Sequence, residues 1–575
     1  MQTIQVDLQR TFPRKFVPKD ADMGDWSQVE PLFKQLLSRH PASPQELEQW
    51  LADYSELAAA YDEEGSKRYI AMTTQTDDPV REAAYQKFVE EIVPKIKPLA
   101  QEAEKAYLAN AHRRQLPQKR YEVLERKSAN SVAIFRQENV PLETQDELLS
   151  KDYHKLMGAM TVNVNGSELT LQQAAKNLEQ PDRALRQKVW EQMAARRLKD
   201  KDALEEIYDK LVALRTKMAA NAGFANYRDL AFRRRERFDY TPEDCYRFHE
   251  GVERAVMPLA RRLRARRQKL LKVDTLRPWD LSVDPLNRPP LAPFASTADF
   301  VGGIQKIFSR VNPSFGSQFQ FMADHSLLEL ENRKGKAPGG YQSTLEERRL
   351  PFIFMNAVGR DQDLRTLVHE GGHAFHALAA REEPLVDYRH APIEFCEVAS
   401  MGMELLALPH LGEFYKSPED YKRACHARLE DLVLLLPAIA LGDAFQHWVY
   451  TNPTHTRKQR ADTWVDVTTR FTAGVDWTGY EEQRAFHWHA ILHFFAIPFY
   501  YIDYGIAQLG ALQVWLRSRT NYDDAVAQYW NALTLGGSRP LPELFAAAGA
   551  RFQFDYEILK PLMDAVEEEL DRTAD

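Results

Sequence analysis

The chain has 575 residues, longer than the ~250–300 residues over which one core grows, so two or three lobes are expected. Apolar residues make up 44% of the sequence and charged residues 27%, which excludes a disordered chain and allows a large core. The net charge of −8 argues against a dedicated nucleic-acid-binding protein.

The cysteines and the apolar segments indicate a compartment for the protein. Cys245, Cys396 and Cys425 are too few, and odd in number, for a disulfide framework. Residues 1–16 have no apolar stretch typical of a secretory signal, and the longest apolar run, residues 432–442, is too short to span a bilayer and predicts a buried helix. We therefore expect a cytoplasmic protein that binds neither membranes nor nucleic acids.

Most of the chain has apolar residues at three- and four-residue spacing, which predicts helices in 28–60, 79–112, 144–160, 171–195 and 199–222. The proline-rich stretch 273–297 predicts an extended loop. The stretch 326–358 combines turn glycines with the β-prone segment PFIFMN, which predicts a small sheet. We expect a helical N-terminal region over 1–200 and a catalytic region over 201–575.

A metal-binding motif follows this predicted sheet. His369 and His373 are four residues apart in a predicted helix, so both imidazoles lie on one face and can share one ion. Zinc accepts imidazole nitrogen, and catalytic zinc sites use three protein ligands and leave one position open. Glu370 follows the first histidine, and a glutamate in that position can take a proton from water.

Gly371 and Gly372 are unusual inside this helix, because each costs about 1 kcal/mol relative to alanine. Close approach of another segment explains them, and we expect that segment to be the PFIFMN strand. A substrate backbone could then pair with the free edge of that strand.

The third metal ligand has several candidates. A metzincin would place a histidine at position 379, which is alanine, so that class is excluded. His376 would put three ligands awkwardly on one helix, and a structural or substrate-facing role suits it better. Glu397, in the start of a predicted second helix, is our choice, with Glu394 and Glu404 as competitors. Glu404 could instead orient a zinc histidine from outside the ligand set.

At this point the sequence resembles the thimet oligopeptidase and oligoendopeptidase F family of zinc metallopeptidases, and the oligoendopeptidase F side more closely. The family carries His-Glu-x-x-His followed by a glutamate ligand in a segment similar to FCEVASMGME, in which that glutamate matches Glu397. The similarity covers roughly 200–560 and includes several further segments in order: Arg215 to Asp244, RPWDL, GKAPGGYQ, PFIFMN, Leu492 to Gly510 and LGGSRPLPELFAAAG.

The resemblance implies a mainly α, two-lobed helical body with a deep central channel. It also implies a gluzincin-like arrangement, with a small β-sheet beside the zinc-binding helix. The resemblance further implies one zinc ion, held by His369, His373 and Glu397. It implies short unstructured peptides as substrates. The resemblance does not define an oligomeric state.

The resemblance also implies roles for further residues. Catalysis would involve Glu370 as general base, with hydrogen bonds to substrate and oxyanion from a histidine and tyrosines in the segment 493–504. His493 and Tyr504 match that pattern best, and the choice between Tyr500 and Tyr501 stays open. We expect His493, Tyr501 and Tyr504 to be catalytic. Substrate binding is expected from Gly339, Gly340, Tyr341 and Tyr500.

The predicted function is therefore that of a zinc-dependent metalloendopeptidase. A thermolysin-like enzyme would carry aspartate four residues after the glutamate ligand, where this chain has Met401. A carboxypeptidase-like exopeptidase is an alternative that peptide cleavage can distinguish. A helical peptide-binding protein with a relic metal site is the alternative outside the enzymes, although all four core residues of the motif are intact.

Overall fold

The structure is a computed structural model that describes residues 4–574, and most of that chain is helical. The first part contains nine helices and a hairpin within the described residues: α1 (Trp26–Leu37), α2 (Pro44–Thr74), α3 (Pro79–Lys87), α4 (Val93–Ala109), α5 (Gln118–Ile134), α6 (Val140–Gly158), β1 (Thr161–Val164), β2 (Ser167–Thr170), α7 (Leu171–Ala175), α8 (Arg183–Lys199) and α9 (Lys201–Asn221). A π-helical turn, Phe88–Ile92, joins α3 to α4.

The predicted helical stretches are largely helical in the structure, but 28–60 and 171–195 are each interrupted, the latter at residues 180–182 before α8. The predicted stretch 28–60 divides into α1 and α2 because Ser43 caps a new helix, accepting a hydrogen bond from the Glu46 backbone, and Pro44 takes the first position. The sequence contains this signal, a serine followed by proline and a glutamate three residues after the cap.

The hairpin of β1 and β2 was missed by the sequence analysis. Its two strands are antiparallel, with Val164 opposite Ser167, so the loop has two residues. Those residues, Asn165 and Gly166, both have positive φ, at 54° and 88°. Asn-Gly between alternating apolar residues is the strongest local sign of such a turn, and it was present in the sequence.

The middle of the chain forms α10 (Tyr227–Arg234), α11 (Pro242–Gly251), α12 (Met257–Leu271), α13 (Thr297–Val311) and α14 (Pro313–Asp324). A π-helical turn, Val252–Val256, joins α11 to α12. Between α12 and α13 the described backbone contains one 3₁₀ turn, Pro278–Asp280, which agrees with the predicted loop over 273–297.

The predicted small sheet is present as β3 (Leu328–Glu331), β4 (Tyr341–Leu345) and β5 (Leu350–Ala357). Its strand order is β3-β5-β4, with β5 parallel to β3 and antiparallel to β4. The PFIFMN segment lies in β5, the central strand, so our expectation that it offers a free edge is wrong. The edge strands of this sheet are β3 and β4, because β5 is paired on both sides.

Helix α15 (Asp361–Ala379) follows β5 directly, and α16 (Val386–Arg389) and α17 (Ile393–Ala407) come next. The side chain of Asp363 accepts hydrogen bonds from the backbone N–H groups of Val358 and Arg360 at 2.7 and 2.9 Å. These hydrogen bonds are part of a capping box, which fixes the start of α15 immediately after the sheet. The metal motif therefore lies in the middle of a capped helix.

The last part of the chain contains α18 (Pro418–Thr451), α19 (Arg457–Phe471), α20 (Glu481–Ala485), α21 (Leu492–Ala496), α22 (Tyr501–Ser518), α23 (Tyr522–Leu533), α24 (Leu541–Ala547) and α25 (Tyr556–Arg572). Within residues 4–574, α18 alone is long and apolar enough to cross a membrane by length and composition. In the structure 72% of its most apolar window is buried, which agrees with the buried helix predicted for 432–442.

The chain divides into two compact units that alternate along the sequence. Unit 1 comprises residues 1–133, 291–425 and 507–552, and unit 2 comprises residues 134–290, 426–506 and 553–575. The division into an N-terminal and a catalytic region near residue 200 is a functional partition of a different kind, and it stays a prediction.

Candidate metal centre and active site

The two motif histidines and one glutamate converge inside unit 1. Ligand atoms of His369, His373 and Glu397 all lie within 4.8 Å of one another. The distance from Glu397 Oε2 is 3.4 Å to His369 Nε2 and 3.7 Å to His373 Nε2. Two ligands about 2.05 Å from a tetrahedral ion are about 3.3 Å apart, so these separations fit a small divalent cation with little adjustment.

The other side of His369 is also held by a carboxylate. Its Nδ1 lies 2.8 Å from Glu404 Oε1 and donates a hydrogen bond to that carboxylate, so Nε2 is the ring nitrogen directed at Glu397. Glu397 itself is held by Ser400, whose hydroxyl donates to Glu397 Oε2 at 2.9 Å. Ser400 was not among the predicted site residues; its position one turn after Glu397 on the same helix was the available indication.

The remaining candidates from the sequence lie outside this group. Among residues 4–574, the group around His369 includes neither Glu394 nor His376. His376 is buried against the Phe395 ring, with ring centroids 6.0 Å apart. Burial lowers the pKa of His376 to about 3, with a smaller contribution from His390, so its imidazole is neutral.

Close helix packing explains the two glycines of the motif. A Cβ on Gly372 would lie 2.5 Å from the Ala399 carbonyl oxygen and 2.6 Å from Ser400 Cα, both on α17. A Cβ on Gly371 would lie 2.4 Å from the Phe308 ring. Our expectation of close approach is correct, but the neighbours are α17 and α13, not the PFIFMN strand. The missing side chains allow α15 to bring its histidines to Glu397.

Glu370 lies near the candidate metal ligands His369 and Glu397 and is 8% exposed. Burial raises the pKa of its carboxyl to about 7, with His369 acting in the opposite direction and Glu397 adding to the rise. Burial also lowers the pKa of His373, which keeps its imidazole neutral and available as a ligand. Near neutral pH, Glu370 can therefore both accept and return a proton.

The predicted donors of segment 493–504 form a cluster of their own in unit 2. The His493 ring lies 5.6, 5.1 and 6.1 Å from the rings of Tyr500, Tyr501 and Tyr504. Burial raises the pKa of Tyr501 to about 12, so its hydroxyl stays a donor at neutral pH. Burial, and then the positive charge of Arg235, lowers the pKa of His493.

The predicted substrate-binding residues 339–341 lie at the start of the edge strand β4. Gly339 has a φ of +97°, a conformation that glycine adopts without strain. The Tyr341 hydroxyl is 2.7 Å from Thr73 Oγ1, and its ring stacks on Phe354. The side chain of Tyr341 thus helps to hold β4 in place, while its role toward a substrate stays a prediction.

Comparisons with known proteins define the class. The whole fold is similar to that of a solved Pz peptidase A bound to an inhibitor, with a TM-score of 0.89, 29% identity and coverage of 97% of this chain and 99% of that one. A Bacillus anthracis (strain Ames) structure described as an oligoendopeptidase F matches at a TM-score of 0.84 and 27% identity, over 97% and 98% of the two chains.

The family follows from the sequence as well. The model of peptidase family M3 matches residues 177–564, and that of the peptidase M3 N-terminal domain matches residues 19–135. This chain belongs to peptidase family M3.

Curated relatives match over shorter stretches. The oligopeptidase PepF of Bacillus subtilis is 23% identical over 320 residues, which are 54% of this chain and 46% of that protein. The chromosomal oligoendopeptidase F of Lactococcus lactis subsp. cremoris is 26% identical over 170 residues, 29% of this chain and 27% of that protein. The aligned part of this chain thus spans between a quarter and a half of these relatives.

Proposed function

We propose that the protein is a zinc-dependent endopeptidase that hydrolyses internal bonds of short unstructured peptides. The observation that carries the proposal is the convergence of His369, His373 and Glu397 beside the buried Glu370, in a chain of peptidase family M3. Neutral imidazoles with one carboxylate are a donor set that suits zinc.

The proposed ligands are His369, His373 and Glu397, with Glu404 orienting His369 and Ser400 orienting Glu397. Bound at this position, zinc supplies Lewis acidity that polarises the scissile carbonyl and acidifies a water molecule. The ligand geometry supports a site with an open position, because within residues 4–574 three protein groups converge on it.

Glu370 is the proposed general base. Its carboxylate takes a proton from the attacking water, and the resulting carboxylic acid returns the proton to the leaving amine. A carboxyl group whose pKa is raised to about 7 suits both steps near neutral pH.

Hydrogen-bond donors for the substrate complete the proposal. On the family resemblance, His493, Tyr501 and Tyr504 donate to the oxyanion and Tyr500 binds the substrate. Their mutual ring contacts support a shared role. In unit 1, a peptide in extended conformation can add to the edge strand β4 through backbone hydrogen bonds, next to Gly339 and Gly340.

The test is cleavage of an internally quenched peptide with an acetylated N-terminus and an amidated C-terminus. We expect cleavage between internal residues, loss of cleavage with 1,10-phenanthroline, and recovery with added zinc. Glu370→Gln should retain zinc and lose roughly 100- to 10,000-fold in rate, the usual contribution of a general base. Tyr504→Phe should lose roughly 100- to 1,000-fold, the usual effect of removing an oxyanion donor.

The control is Glu90→Gln, which makes the same change at an exposed glutamate of unit 1 and should leave the rate unchanged. Full activity of Glu370→Gln would exclude Glu370 as the base. Hydrolysis only of peptides with a free carboxyl terminus would show an exopeptidase. Undiminished cleavage in the presence of chelator would exclude the metal mechanism.

A further inference from the structure

A second group of metal-ligand side chains lies in unit 2. Helix α11 carries Cys245 and His249 four residues apart, and helix α18 carries Asp443 and His447 at the same spacing. Each pair therefore occupies one face of its helix. Ligand atoms of Cys245, Asp443 and His447 lie within 4.8 Å of one another, and these residues are 0%, 0% and 2% exposed.

The polar atoms of this group are incompletely satisfied. Asp443 Oδ2 accepts a hydrogen bond from His249 Nε2 at 2.8 Å. Within residues 4–574, Asp443 Oδ1 and His447 Nδ1 have no hydrogen-bond partner, and His447 Nε2 has only a 3.3 Å contact with Asp443 Oδ2. Buried unpaired groups each cost about 1–3 kcal/mol, so this site calls for a ligand.

The charge of Asp443 is met by histidine side chains. Among the described residues, the ion-pair partners of Asp443 are His249 and His447, and neither a lysine nor an arginine pairs with it. The surroundings are aromatic: the His447 ring lies 5.4 Å from Phe499 and 6.0 Å from Phe232. A buried carboxylate in such surroundings is costly unless a cation lies beside it.

We propose that Cys245, Asp443 and His447 bind a second divalent cation of the zinc class, separate from the catalytic ion. The distance of 3.3 Å between His447 Nε2 and Asp443 Oδ2 equals the separation of about 3.3 Å expected for two ligands of a tetrahedral ion. A sulfur, a nitrogen and an oxygen donor together favour zinc over magnesium or calcium. His249 orients Asp443 from outside the ligand set.

The consequence is a structural link within unit 2. The cation joins α11 to α18, whose ligands are almost two hundred positions apart in the sequence. On binding, the Cys245 S–H bond breaks, the proton leaves to the solvent, and a sulfur–metal bond forms. Because all three ligands are buried, the ion is inaccessible to a peptide and contributes to stability.

Cobalt substitution of the full-length protein tests the proposal. The protein is produced in zinc-depleted medium supplemented with cobalt chloride, and its metal content and absorption spectrum are measured. The proposed catalytic ligands contain no sulfur, so a cobalt–thiolate charge-transfer band reports the second site alone. We expect two cobalt ions per chain and this band, and we expect EDTA dialysis to remove the catalytic ion while the band persists.

Variants show which residue gives rise to the cobalt–thiolate band. Cys245→Ser should abolish it and lower the content to one ion per chain, whereas His369→Ala should lower the content equally and keep the band. Cys396→Ser, beside the proposed ligand Glu397, and Cys425→Ser, at the other fully buried cysteine, should keep it as matched controls. One ion per chain without the band in the wild type would overturn the proposal, as would a band that survives Cys245→Ser. The wild-type measurement tests the proposal even if Cys245→Ser does not fold.

Discussion

The two ring nitrogens of His369 have different carboxylate partners. Nε2 points toward Glu397, and Nδ1 is held by Glu404 at 2.8 Å. A histidine oriented through Nδ1 has one tautomer and one ring orientation, which favours metal binding at Nε2. The sequence predicted the pair of imidazoles from their spacing and preferred Glu397 as the third ligand over its competitors Glu394 and Glu404. Only the three-dimensional course of α17 separates a ligand from an orienting carboxylate.

Glu404→Gln should therefore weaken metal binding without removing a ligand. We expect zinc affinity to fall roughly 10- to 100-fold, the usual effect of losing such a partner, and peptide cleavage to recover when zinc is in excess. Competition with a chromogenic chelator measures the affinity. A variant with unchanged affinity would show that the Glu404 contact is dispensable, and one that stays inactive at saturating zinc would place Glu404 in a different role.

Asp280, in the RPWDL segment, is a residue whose importance the sequence did not reveal. Its carboxylate is fully buried and accepts hydrogen bonds from Arg183, Arg186 and the Arg277 backbone at 2.8 to 3.0 Å. Burial acts to raise the pKa of Asp280, but these hydrogen bonds outweigh it and hold the pKa below its ordinary value. The contribution to stability is therefore present above the unfolded-state pKa of about 3.9 and is lost as the pH falls through the folded-state pKa.

Asp280→Asn should lower the stability of unit 2 at pH 7 by about 3 kcal/mol, because two arginines lose their partner charge. In urea unfolding, the difference from wild type should be constant between pH 7 and 5 and should shrink below about pH 4. Asp274→Asn, at an exposed position of the same loop, is the matched control and should change little. A difference that grows toward low pH would contradict this account.

At the scale of elements, the structure shows which helices and strands are neighbours, which the periodicity of apolar residues does not predict. The spacing of apolar residues predicts where α15 and α17 lie along the chain, but it does not say which helix approaches Gly371 and Gly372. The same holds for the sheet: the composition of PFIFMN predicts a strand, while its central position depends on the long-range parallel pairing with β3. By contrast, the Asn-Gly hairpin at 165–166 depends on local interactions, so its sequence was sufficient to predict the turn.

Gly372→Ala should separate α15 from α17. The added methyl group would meet the α17 backbone at 2.5 Å, where no side chain can move aside. We expect a loss of about 1–3 kcal/mol in stability together with weaker zinc binding, since His373 moves away from Glu397. Differential scanning fluorimetry and zinc titration measure both.

Gly302→Ala is the matched control, because Gly302 lies inside α13 with no atom within 4 Å of the added methyl group. It should leave zinc binding unchanged and increase stability by up to about 1 kcal/mol through helix propensity. Equal behaviour of the two variants would exclude close packing as the reason for Gly372.

At the scale of the whole molecule, residues of the N-terminal region belong to unit 1, which contains the proposed metal ligands. Tyr388 in α16 donates to the Arg120 carbonyl, and the Leu124 backbone donates to its hydroxyl. Arg348 of the sheet region donates to Glu63 in α2. The sequence showed only general similarity in the first 200 residues, because helix packing surfaces tolerate many apolar substitutions.

A fragment of residues 201–575, the predicted catalytic region, should therefore fail as an independent domain. It lacks residues 1–133 of unit 1, so apolar groups around Tyr388 become exposed. We expect the fragment to aggregate or to bind no zinc, as measured by size-exclusion chromatography and metal analysis. Full-length protein prepared in the same way should be monodisperse and should bind zinc. A monodisperse, zinc-binding fragment would support the predicted boundary near residue 200.

The alternation of the two units has a consequence for biosynthesis. The segment 507–552 completes unit 1: Tyr529 donates a hydrogen bond to the Ala399 carbonyl of α17 and packs over Gly402. On a ribosome, the helices that carry the proposed metal ligands emerge more than a hundred residues before this partner. Until then apolar surface of unit 1 stays uncovered, so we expect the incomplete chain to be prone to aggregation and the proposed metal site to form only when translation is almost finished.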